Sequence, residues 1–316
     1  MSGVVGIRAE RSIGVSRYCE RLAASLRAHG REYVLAAAPR RGQAAHWHLA
    51  NSSRSAAWQA WRRVPFVVTV HDVVPRTPAL LPLYRLVVYP VVRRADAVVV
   101  HSRFAADLLC ETACVDPERI AVVPHAATRP DATDRAGARQ TLGWPADARI
   151  AVLPGVIKPA KLVREAVAAV RQAAGWRLAL AGPVHDAAAA AEARAAGAVV
   201  LAGPDAEAYD RAIAAADAVL VLRSASVGET NGPLLDALGA GRAVVATATG
   251  SIPEVAGGAA LLCEPTADAI RAGLEQLNDR EEQRGRERLS AARGANLTWT
   301  ASAEAHAALF DEVFGV

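Results

Sequence analysis

The chain has 316 residues, of which 52% are hydrophobic and 22% are charged, and its formal net charge is +4. This length suits two domains of about 100–200 residues each, and the apolar fraction excludes an intrinsically disordered chain. The positive charge is mild and no Lys/Arg block forms a nucleic-acid-binding arm, so no nucleic acid is expected as a partner.

Short apolar runs alternate with longer amphipathic runs through the first half of the chain. The runs predicted to be strands are Val4–Ile7, Tyr33–Ala37, Phe66–Val70, Ala97–Val100 and Ile120–Val123. Such near-continuous apolar runs are typical of a parallel sheet covered on both faces. Helices are predicted at Ser16–His29, with Ser16 as N-cap and Gly30 as the stop, and at Arg103–Glu111, with Ser102 as the cap.

The polar stretch Pro130–Asp147 is predicted to be an irregular hinge. A second series of strands follows, at Ile150–Leu153, Arg177–Ala181, Ala198–Leu201, Ala218–Leu222, Ala243–Thr247 and Ala259–Leu262. The helices predicted between them are Lys161–Ala174, Asp186–Ala196, Glu207–Ala215, Pro233–Gly239 and Thr266–Leu277. The last segment, Arg280–Val316, is predicted to be helical and to end with an apolar face of Leu309, Phe310, Val313 and Phe314.

Alternation of strands and helices implies parallel strands joined by right-handed crossovers. The predicted fold class is therefore α/β, with two Rossmann-like doubly wound parallel-sheet domains that face a cleft. We assign residues 1–135 to an acceptor-side domain and residues 148–290 to a nucleotide-sugar-binding domain. Residues 291–316 are expected to form a C-terminal helix that packs back on the first domain.

The location of the protein is predicted from what the sequence lacks. The N-terminal segment has no apolar core of a signal peptide, and no uncharged apolar run reaches the about 18 residues of a membrane span. The four cysteines follow neither a disulfide nor a zinc-site spacing. The longest apolar stretch near a positive flank is Leu80–Val92, which Arg85 interrupts. We expect a cytoplasmic protein, with a peripheral contact to the inner face of a membrane.

Ligands of open α/β sheets bind beyond the carboxyl ends of the strands, so residues that follow strands are site candidates. Gly14 opens a turn into a helix, where free backbone N–H groups favour an anion. His71 ends a strand and could orient a sugar hydroxyl or polarise a reacting group. The alternative is a histidine at a strand end whose hydrogen bonds are satisfied there and that has no further role. Gly155 with Lys158 and Lys161 could neutralise a pyrophosphate, the alternative being solvated surface lysines.

The strongest candidate segment is Gly228–Ala246. Glu229 and, seven residues later, Asp236 place two carboxylates around a helix start at Pro233. Carboxylates accept hydrogen bonds from sugar and ribose hydroxyls, and a helix start suits a phosphate between them. The alternative is a capping glutamate and a solvated aspartate.

Motifs in a consistent order over about the whole chain resemble the retaining glycosyltransferases of the GT-B fold, specifically glycosyltransferase family 4. They are Gly14–Tyr18, His71–Asp72, Ala95–Ser102, Ile120–His125, Ala216–Ala218, Gly228–Glu229, Pro233–Ala237, Gly241–Ala246 and Gly250–Val255. The resemblance implies transfer of a sugar from a UDP- or GDP-linked donor to an unknown acceptor, with retention of anomeric configuration. It implies no metal and no cofactor, since the nucleotide sugar is a co-substrate.

The resemblance also implies residue roles, in which Lys161 contacts the donor pyrophosphate, Glu229 the donor sugar and Asp236 the ribose. The catalytic candidates are His71, Glu229 and Lys161. The donor-binding candidates are Gly14, Gly155, Lys158, Lys161, Glu229, Thr230, Asn231, Gly232 and Asp236.

Three features depart from the family pattern. Val156 stands where the family usually has arginine, with Lys158 as its candidate substitute. The two acids lie seven rather than eight positions apart, which leaves Gly228 in the usual slot of the first acid, and the chain is short for the family. Two other functions are open: a nucleotide-sugar epimerase of the same fold, and a nucleotide-sugar-binding protein with little or no turnover.

Overall fold

A computed structural model describes residues 4–8, 13–36, 43–50, 64–128 and 134–315. The chain divides into two compact units. The first comprises residues 1–126, 227–230 and 297–316, and the second comprises residues 127–226 and 231–296. None of the helices in the described ranges combines the length and the apolar character needed to cross a bilayer.

The first unit is built on a six-stranded parallel sheet of order β2-β1-β3-β4-β5-β6. Its strands are β1 (Val4–Arg8), β2 (Tyr33–Leu35), β3 (Ala44–Leu49), β4 (Phe66–Val70), β5 (Ala97–Val100) and β6 (Ile120–Val122). The strand order reverses at β1, which lies between β2 and β3. Sheets of this kind bind ligands beyond the carboxyl ends of the strands at such a reversal.

Helices cover both faces of this sheet. They are α1 (Ile13–Ala28), α2 (Leu81–Leu83), α3 (Tyr89–Arg94) and α4 (Arg103–Ala113), with a π-helical turn at Tyr84–Val88. Helix α1 begins earlier than predicted, so Ser16 lies inside the helix and is not its N-cap. Ser102 caps α4 as predicted, since its hydroxyl accepts a hydrogen bond of 3.1 Å from the backbone N–H of Ala105.

The second unit contains a six-stranded parallel sheet of order β12-β11-β10-β7-β8-β9. Its strands are β7 (Arg149–Pro154), β8 (Trp176–Gly182), β9 (Val199–Ala202), β10 (Ala218–Val221), β11 (Ala243–Thr247) and β12 (Ala260–Cys263). Its helices are α5 (Arg135–Leu142), α6 (Val163–Gln172), α7 (Ala187–Ala195), α8 (Ala206–Ala215), α9 (Gly232–Gly239), α10 (Ile252–Ala256), α11 (Ala267–Gln276) and α12 (Arg280–Asn296). The order reverses between β7 and β10, so the loops that follow these two strands open at the expected ligand position.

The predicted irregular hinge is wrong over residues 135–142, which form α5. Asp134 caps this helix by accepting hydrogen bonds from the backbone N–H groups of Ala136 and Gly137. The helix carries Arg139, whose buried guanidinium pairs with Asp217. Residues 130–133 of the predicted hinge lie outside the described residues. Strand β3 and helices α2, α3 and α10 were not predicted.

Two aspartates from the Ala-Asp-Ala motifs have the same structural role in the two sheets. Asp96 precedes β5, and its Oδ2 accepts a hydrogen bond of 2.7 Å from the backbone N–H of Phe66, at the start of β4. Asp217 precedes β10, and its Oδ2 accepts a hydrogen bond of 2.7 Å from the backbone N–H of Ile150 in β7. Each carboxylate therefore fixes the start of the neighbouring strand.

The last helix, α13 (Trp299–Phe314), belongs to the first unit and packs on α1. Phe310 and Phe314 are buried, and Leu309 and Val313 pack against the same core. An ion pair between Arg31 and Asp311 joins the two surfaces. The apolar face predicted at the end of the chain is therefore a packing face of the first unit.

Helix α12 lies directly on α9 at a glycine. A methyl group added at Gly294 would lie 2.4 Å from the carbonyl oxygen of Leu238, whereas one added at Gly285 in the same helix would meet no heavy atom within 4 Å. Close packing at Gly294 therefore holds the helix whose N-terminus carries several candidate site residues.

We predict opposite effects of one substitution at these two glycines. Gly294→Ala should lower the free energy of unfolding by about 1–3 kcal/mol, because the new methyl group forces the two helices apart. Gly285→Ala should raise it by about 0.5–1 kcal/mol, because alanine has the better helix propensity. Urea unfolding followed by circular dichroism measures both, and equal effects of the two variants would contradict the close packing at Gly294.

Candidate functional site

In the second unit, the loop after β7 is shaped by a contact between two backbones. A Cβ atom at Gly182 would lie 2.0 Å from the carbonyl oxygen of Gly155. Gly155 itself has a φ of +96° and donates a backbone hydrogen bond of 2.8 Å to Ala181. Glycine at both positions therefore lets the end of β7 turn closely against the end of β8.

The two lysines of the chain, Lys158 and Lys161, both lie just beyond this turn. Lys158 is half-buried and precedes the 3₁₀ turn Pro159–Lys161. Lys161 is 3% exposed; its Nζ donates a hydrogen bond of 3.3 Å to the carbonyl of Pro154 and lies 3.3 Å from the position a Cβ would take at Gly155. Helix α6 begins at Val163, two residues later than predicted, so Lys161 belongs to the turn ahead of the helix.

The N-terminus of α9 lies against the same glycine. The Cγ of Pro233 is 3.3 Å from the position of a Cβ at Gly155. Asn231 caps the helix, since its Oδ1 accepts a hydrogen bond of 3.3 Å from the backbone N–H of Leu234. Asn231 is 3% exposed, and its Nδ2 has no hydrogen-bond partner in the described part of the chain. A buried amide donor left this way is uncommon and points to a ligand.

Asp236 lies one turn into α9 and is half-buried. Its Oδ2 accepts a hydrogen bond of 3.2 Å from the hydroxyl of Tyr209. Gly232, the first residue of the helix, is exposed and has open space beside it. The second unit thus brings together a glycine turn, a buried lysine, a helix N-terminus and a carboxylate. This combination suits an anionic diphosphate that is linked to a diol.

In the first unit, residues 227–230 pack on the loop that follows β4. The carbonyl of Val227 accepts hydrogen bonds of 2.8 and 3.1 Å from the backbone N–H groups of Val73 and Val74. Gly228 has a φ of +86°, and a Cβ there would lie 2.5 Å from Val73. Glu229 is buried and accepts a hydrogen bond of 2.8 Å from the N–H of Val227, and Thr230 beside it is half-buried. Glu229 therefore belongs to a fixed loop beside the loop that begins at His71.

The carboxyl end of the first sheet carries a cluster of histidines. Six of the eight histidines of the chain lie in it: His46, His48, His71, His101, His125 and His306. The ring of Tyr18 lies at the centre, with its centroid 4.8–5.7 Å from the rings of His48, His71, His101 and His125. We call this group the histidine cluster.

Backbone carbonyls fix the tautomers of three members of the histidine cluster. The Nδ1 atoms of His101, His125 and His306 lie 2.9, 2.8 and 2.7 Å from the carbonyl oxygens of Val123, Ala126 and Ser302. A carbonyl oxygen can only accept, so in each ring Nδ1 carries the proton and Nε2 is an acceptor. The Nε2 of His101 is buried and has no partner among the described residues.

Burial keeps five of the six imidazoles of the histidine cluster uncharged near neutral pH. Desolvation lowers the pKa of His101 and His306 to about 4 and that of His125 to about 3. Burial also lowers the pKa of His46 and of His71 well below the usual range, with further lowering by neighbouring imidazoles. Within the described residues, no group of three or more His, Cys, Asp or Glu side chains is arranged to hold a metal ion.

The structure places the predicted site residues in two sets, one in each unit. Gly155, Lys158, Lys161, Asn231, Gly232 and Asp236 lie in the second unit, and Gly14, His71, Glu229 and Thr230 lie in the first. Gly14 lies in the first turn of α1 and is exposed, one turn before Tyr18.

The histidine cluster was missed apart from His71. The signal for it is the sequence Ala-His-Trp-His-Leu in β3, where two histidines at a spacing of two share one face of a strand. The alternation of histidine with apolar residues made this run less apolar than the other strands, so it was not recognised as part of the sheet.

Two family models match the chain. The model described as Glycosyltransferase Family 4 matches residues 40–127, and the model described as Glycosyl transferases group 1 matches residues 149–279. Together they cover more than two thirds of the chain. A comparison with curated proteins finds no match.

Several solved structures have the same fold over nearly their whole length. A sucrose-phosphate synthase from Thermosynechococcus elongatus is 17% identical, with a TM-score of 0.81 and coverage of 99% of each chain. The Anabaena protein HepE in complex with UDP and glucose is 14% identical, with a TM-score of 0.79 and coverage of 99% of this chain and 100% of that one. WaaG, a glycosyltransferase of lipopolysaccharide biosynthesis, is 17% identical, with a TM-score of 0.70 and the same coverage.

Proposed function

The chain belongs to the group 1 glycosyl transferases of glycosyltransferase family 4, with the GT-B fold, and we propose that it moves a hexose to an acceptor with retention of anomeric configuration. The donor is a nucleotide-diphosphate sugar. We propose UDP as its nucleotide before GDP, because the similar HepE protein was crystallised with UDP and with UDP-glucose. The chemical nature of the acceptor is left open.

The observation that carries this proposal is the arrangement of the second unit around Gly155. The amine of Lys161, the start of α9 and the amide of Asn231 converge at the end of a strand where the sheet order reverses. A helix N-terminus and an ammonium group both favour a diphosphate, and burial strengthens their effect. We assign the donor diphosphate to this place and its ribose to Asp236.

The same groups supply the chemistry of the proposed step. The bond from the anomeric carbon to the diphosphate oxygen breaks, and negative charge grows on the leaving diphosphate. Lys161, with Lys158 in support, and the N–H groups of α9 stabilise this charge, so no metal is required in the proposed mechanism. The acceptor oxygen forms the new bond to the anomeric carbon, and its proton passes to the leaving diphosphate oxygen. We assign contacts with the transferred sugar to Glu229 and His71.

We predict that Lys161→Met weakens UDP binding by about 10- to 100-fold, since a charge-assisted hydrogen bond contributes about 1.5–3 kcal/mol. Methionine retains most of the buried volume, so the melting temperature without ligand should change little. Isothermal titration calorimetry with UDP measures the effect. Arg194→Ala, which removes an exposed cation of α7, is the control and should bind UDP as the wild type does. Unchanged binding by Lys161→Met would remove Lys161 from the donor site.

Retention of configuration is tested without knowledge of the acceptor. With UDP-glucose and water as the only acceptor, ¹H NMR at early times should show released glucose as the α-anomer, the configuration of the donor. Release of the β-anomer would contradict retention. Conversion of the donor into another nucleotide sugar, with no sugar released, would indicate the epimerase instead.

We further propose that the first unit contacts an anionic membrane surface, from the cytoplasmic side, through the helical segment 81–94. Leu83 and Leu86 are 38% and 78% exposed there, beside the exposed Arg85, Arg93 and Arg94. Apolar side chains next to arginines suit the boundary between acyl chains and anionic headgroups.

We predict that Leu86→Glu lowers binding to vesicles of phosphatidylcholine and phosphatidylglycerol about tenfold or more, because a buried leucine contributes about 1.5–3 kcal/mol. Co-sedimentation measures the bound fraction. Leu289→Glu, at a 50% exposed leucine of α12, is the matched control and should bind as the wild type does. Equal binding by both variants, or equal binding to phosphatidylcholine alone, would contradict this contact.

A further inference from the structure

A chain of hydrogen bonds leads to His71 through side chains of three strands of the first sheet, β2, β3 and β4. The hydroxyl of Thr69 lies 2.7 Å from Nε2 of His46, and Nδ1 of His46 lies 2.9 Å from the hydroxyl of Tyr33. The same hydroxyl lies 3.2 Å from Nε2 of His48, and Nδ1 of His48 lies 3.4 Å from Nε2 of His71. We call these five side chains the relay.

We propose that Tyr33 is a positioning residue that sets which ring nitrogen of His71 carries the proton. The inference rests on the proposed function only in that His71 contacts the transferred sugar. The residues that the inference adds lie in β2 and β3 and are linked to His71 by hydrogen bonds.

The hydroxyl of Tyr33 has one proton and lies between two imidazoles. It donates to one histidine and therefore must accept from the other. If it donates to His48, the Nδ1 of His48 holds the proton and donates to Nε2 of His71, which leaves a proton on Nδ1 of His71. If it donates to His46, every bond reverses, and Nδ1 of His71 becomes an acceptor.

The hydrogen-bond order of the relay is protected from charge and from water. Thr69, His46 and His48 are fully buried, and Tyr33 is 1% exposed. Burial lowers the pKa of His46 and of His71 and raises the pKa of Tyr33, so all three stay uncharged near neutral pH. A neutral imidazole holds one proton on its two ring nitrogens. The direction of the hydrogen bond at one nitrogen therefore determines the direction of the bond at the other.

Two contacts hold the ring of Tyr33 where its hydroxyl reaches both histidines. A Cβ at Gly6 in β1 would lie 2.4 Å from the Tyr33 hydroxyl oxygen, so the absence of a side chain at Gly6 makes room for it. The ring of Phe310 also stacks on that of Tyr33, with centroids 6.1 Å apart and an angle of 9° between the planes. Neither contact needs the hydroxyl, so Tyr33→Phe removes the hydrogen bonds and keeps the packing.

The first arm of the test reads the tautomers directly. Two-bond ¹H–¹⁵N spectra of the full chain with ¹⁵N-labelled histidine distinguish protonated from unprotonated ring nitrogens, and His71→Gln assigns the His71 signals. We expect one tautomer each for His48 and His71 in the wild type, and averaged tautomers for both in Tyr33→Phe. Averaged tautomers in the wild type, or unchanged His71 signals in the variant, would overturn the proposal.

The second arm reads the consequence for turnover of UDP-glucose. In Tyr33→Phe, kcat should fall about 10- to 100-fold, the size of effect found when a hydrogen-bond partner that orients a metal-ligating histidine is removed, while KM for the donor stays within about twofold. Tyr84→Phe is the control, since this buried tyrosine also loses one hydroxyl, which bonds to the carbonyl of Ala50 outside the relay. Equal kcat values for the two variants would overturn the functional role of Tyr33.

The two arms separate the relay from the proposed function. A wild type that neither binds nor turns over any nucleotide sugar would contradict the proposed function, and the NMR arm would still decide the relay. If Tyr33→Phe lowers both kcat and the melting temperature but leaves the tautomers of His48 and His71 unchanged, the hydroxyl of Tyr33 contributes only to stability.

Discussion

The candidate site of the second unit depends on one contact between two backbones, that of Gly182 with the carbonyl of Gly155. No side chain fits between the ends of β7 and β8 at this point. The close turn that results leaves Gly155 against both the amine of Lys161 and the first turn of α9. The amine of Lys161 and the N-terminus of α9 can both approach Gly155 because glycine has no side chain at that point. The site is thus set by backbone geometry first and by charge second.

The strands were predictable because strands of a covered parallel sheet are continuous apolar runs that need no distant information. Strand β3 was not predictable from the local pattern because His46 and His48 alternate with apolar residues. These histidines become part of a core only through their hydrogen bonds with Tyr33 and Thr69. Helix α5 was not predicted because Asp217, which pairs with its Arg139, lies far along the chain. Glycine turns and lysines of the candidate site were visible in the sequence, whereas the relay depends on registers among strands that no local pattern specifies.

Residues that carry a family resemblance do not all serve chemistry. Asp96 and Asp217 stand in two of the motifs that relate this chain to family 4, yet each accepts a hydrogen bond from the N–H of a neighbouring strand. Asp217 also pairs with the buried Arg139. A buried carboxylate bonded in this way is costly to remove, because its partners would be left unsatisfied. Such motifs report the construction of a sheet, whereas Lys161 and Asn231 lie where a ligand can be held.

Buried polar side chains in the first sheet raise the question of why apolar residues do not occupy their places. A core made of leucine and valine would be at least as stable, because a buried polar group offers stability only when its hydrogen bonds are complete. The relay meets that condition at Tyr33 and at both imidazoles of β3, and in the part of the chain that the structure describes it leads to His71. Packing alone does not require hydrogen bonds that lead to His71, a half-buried ring at the carboxyl edge of the sheet. The His71 end of the relay lies where α/β sheets bind ligands, which is why we assign the relay to the orientation of His71.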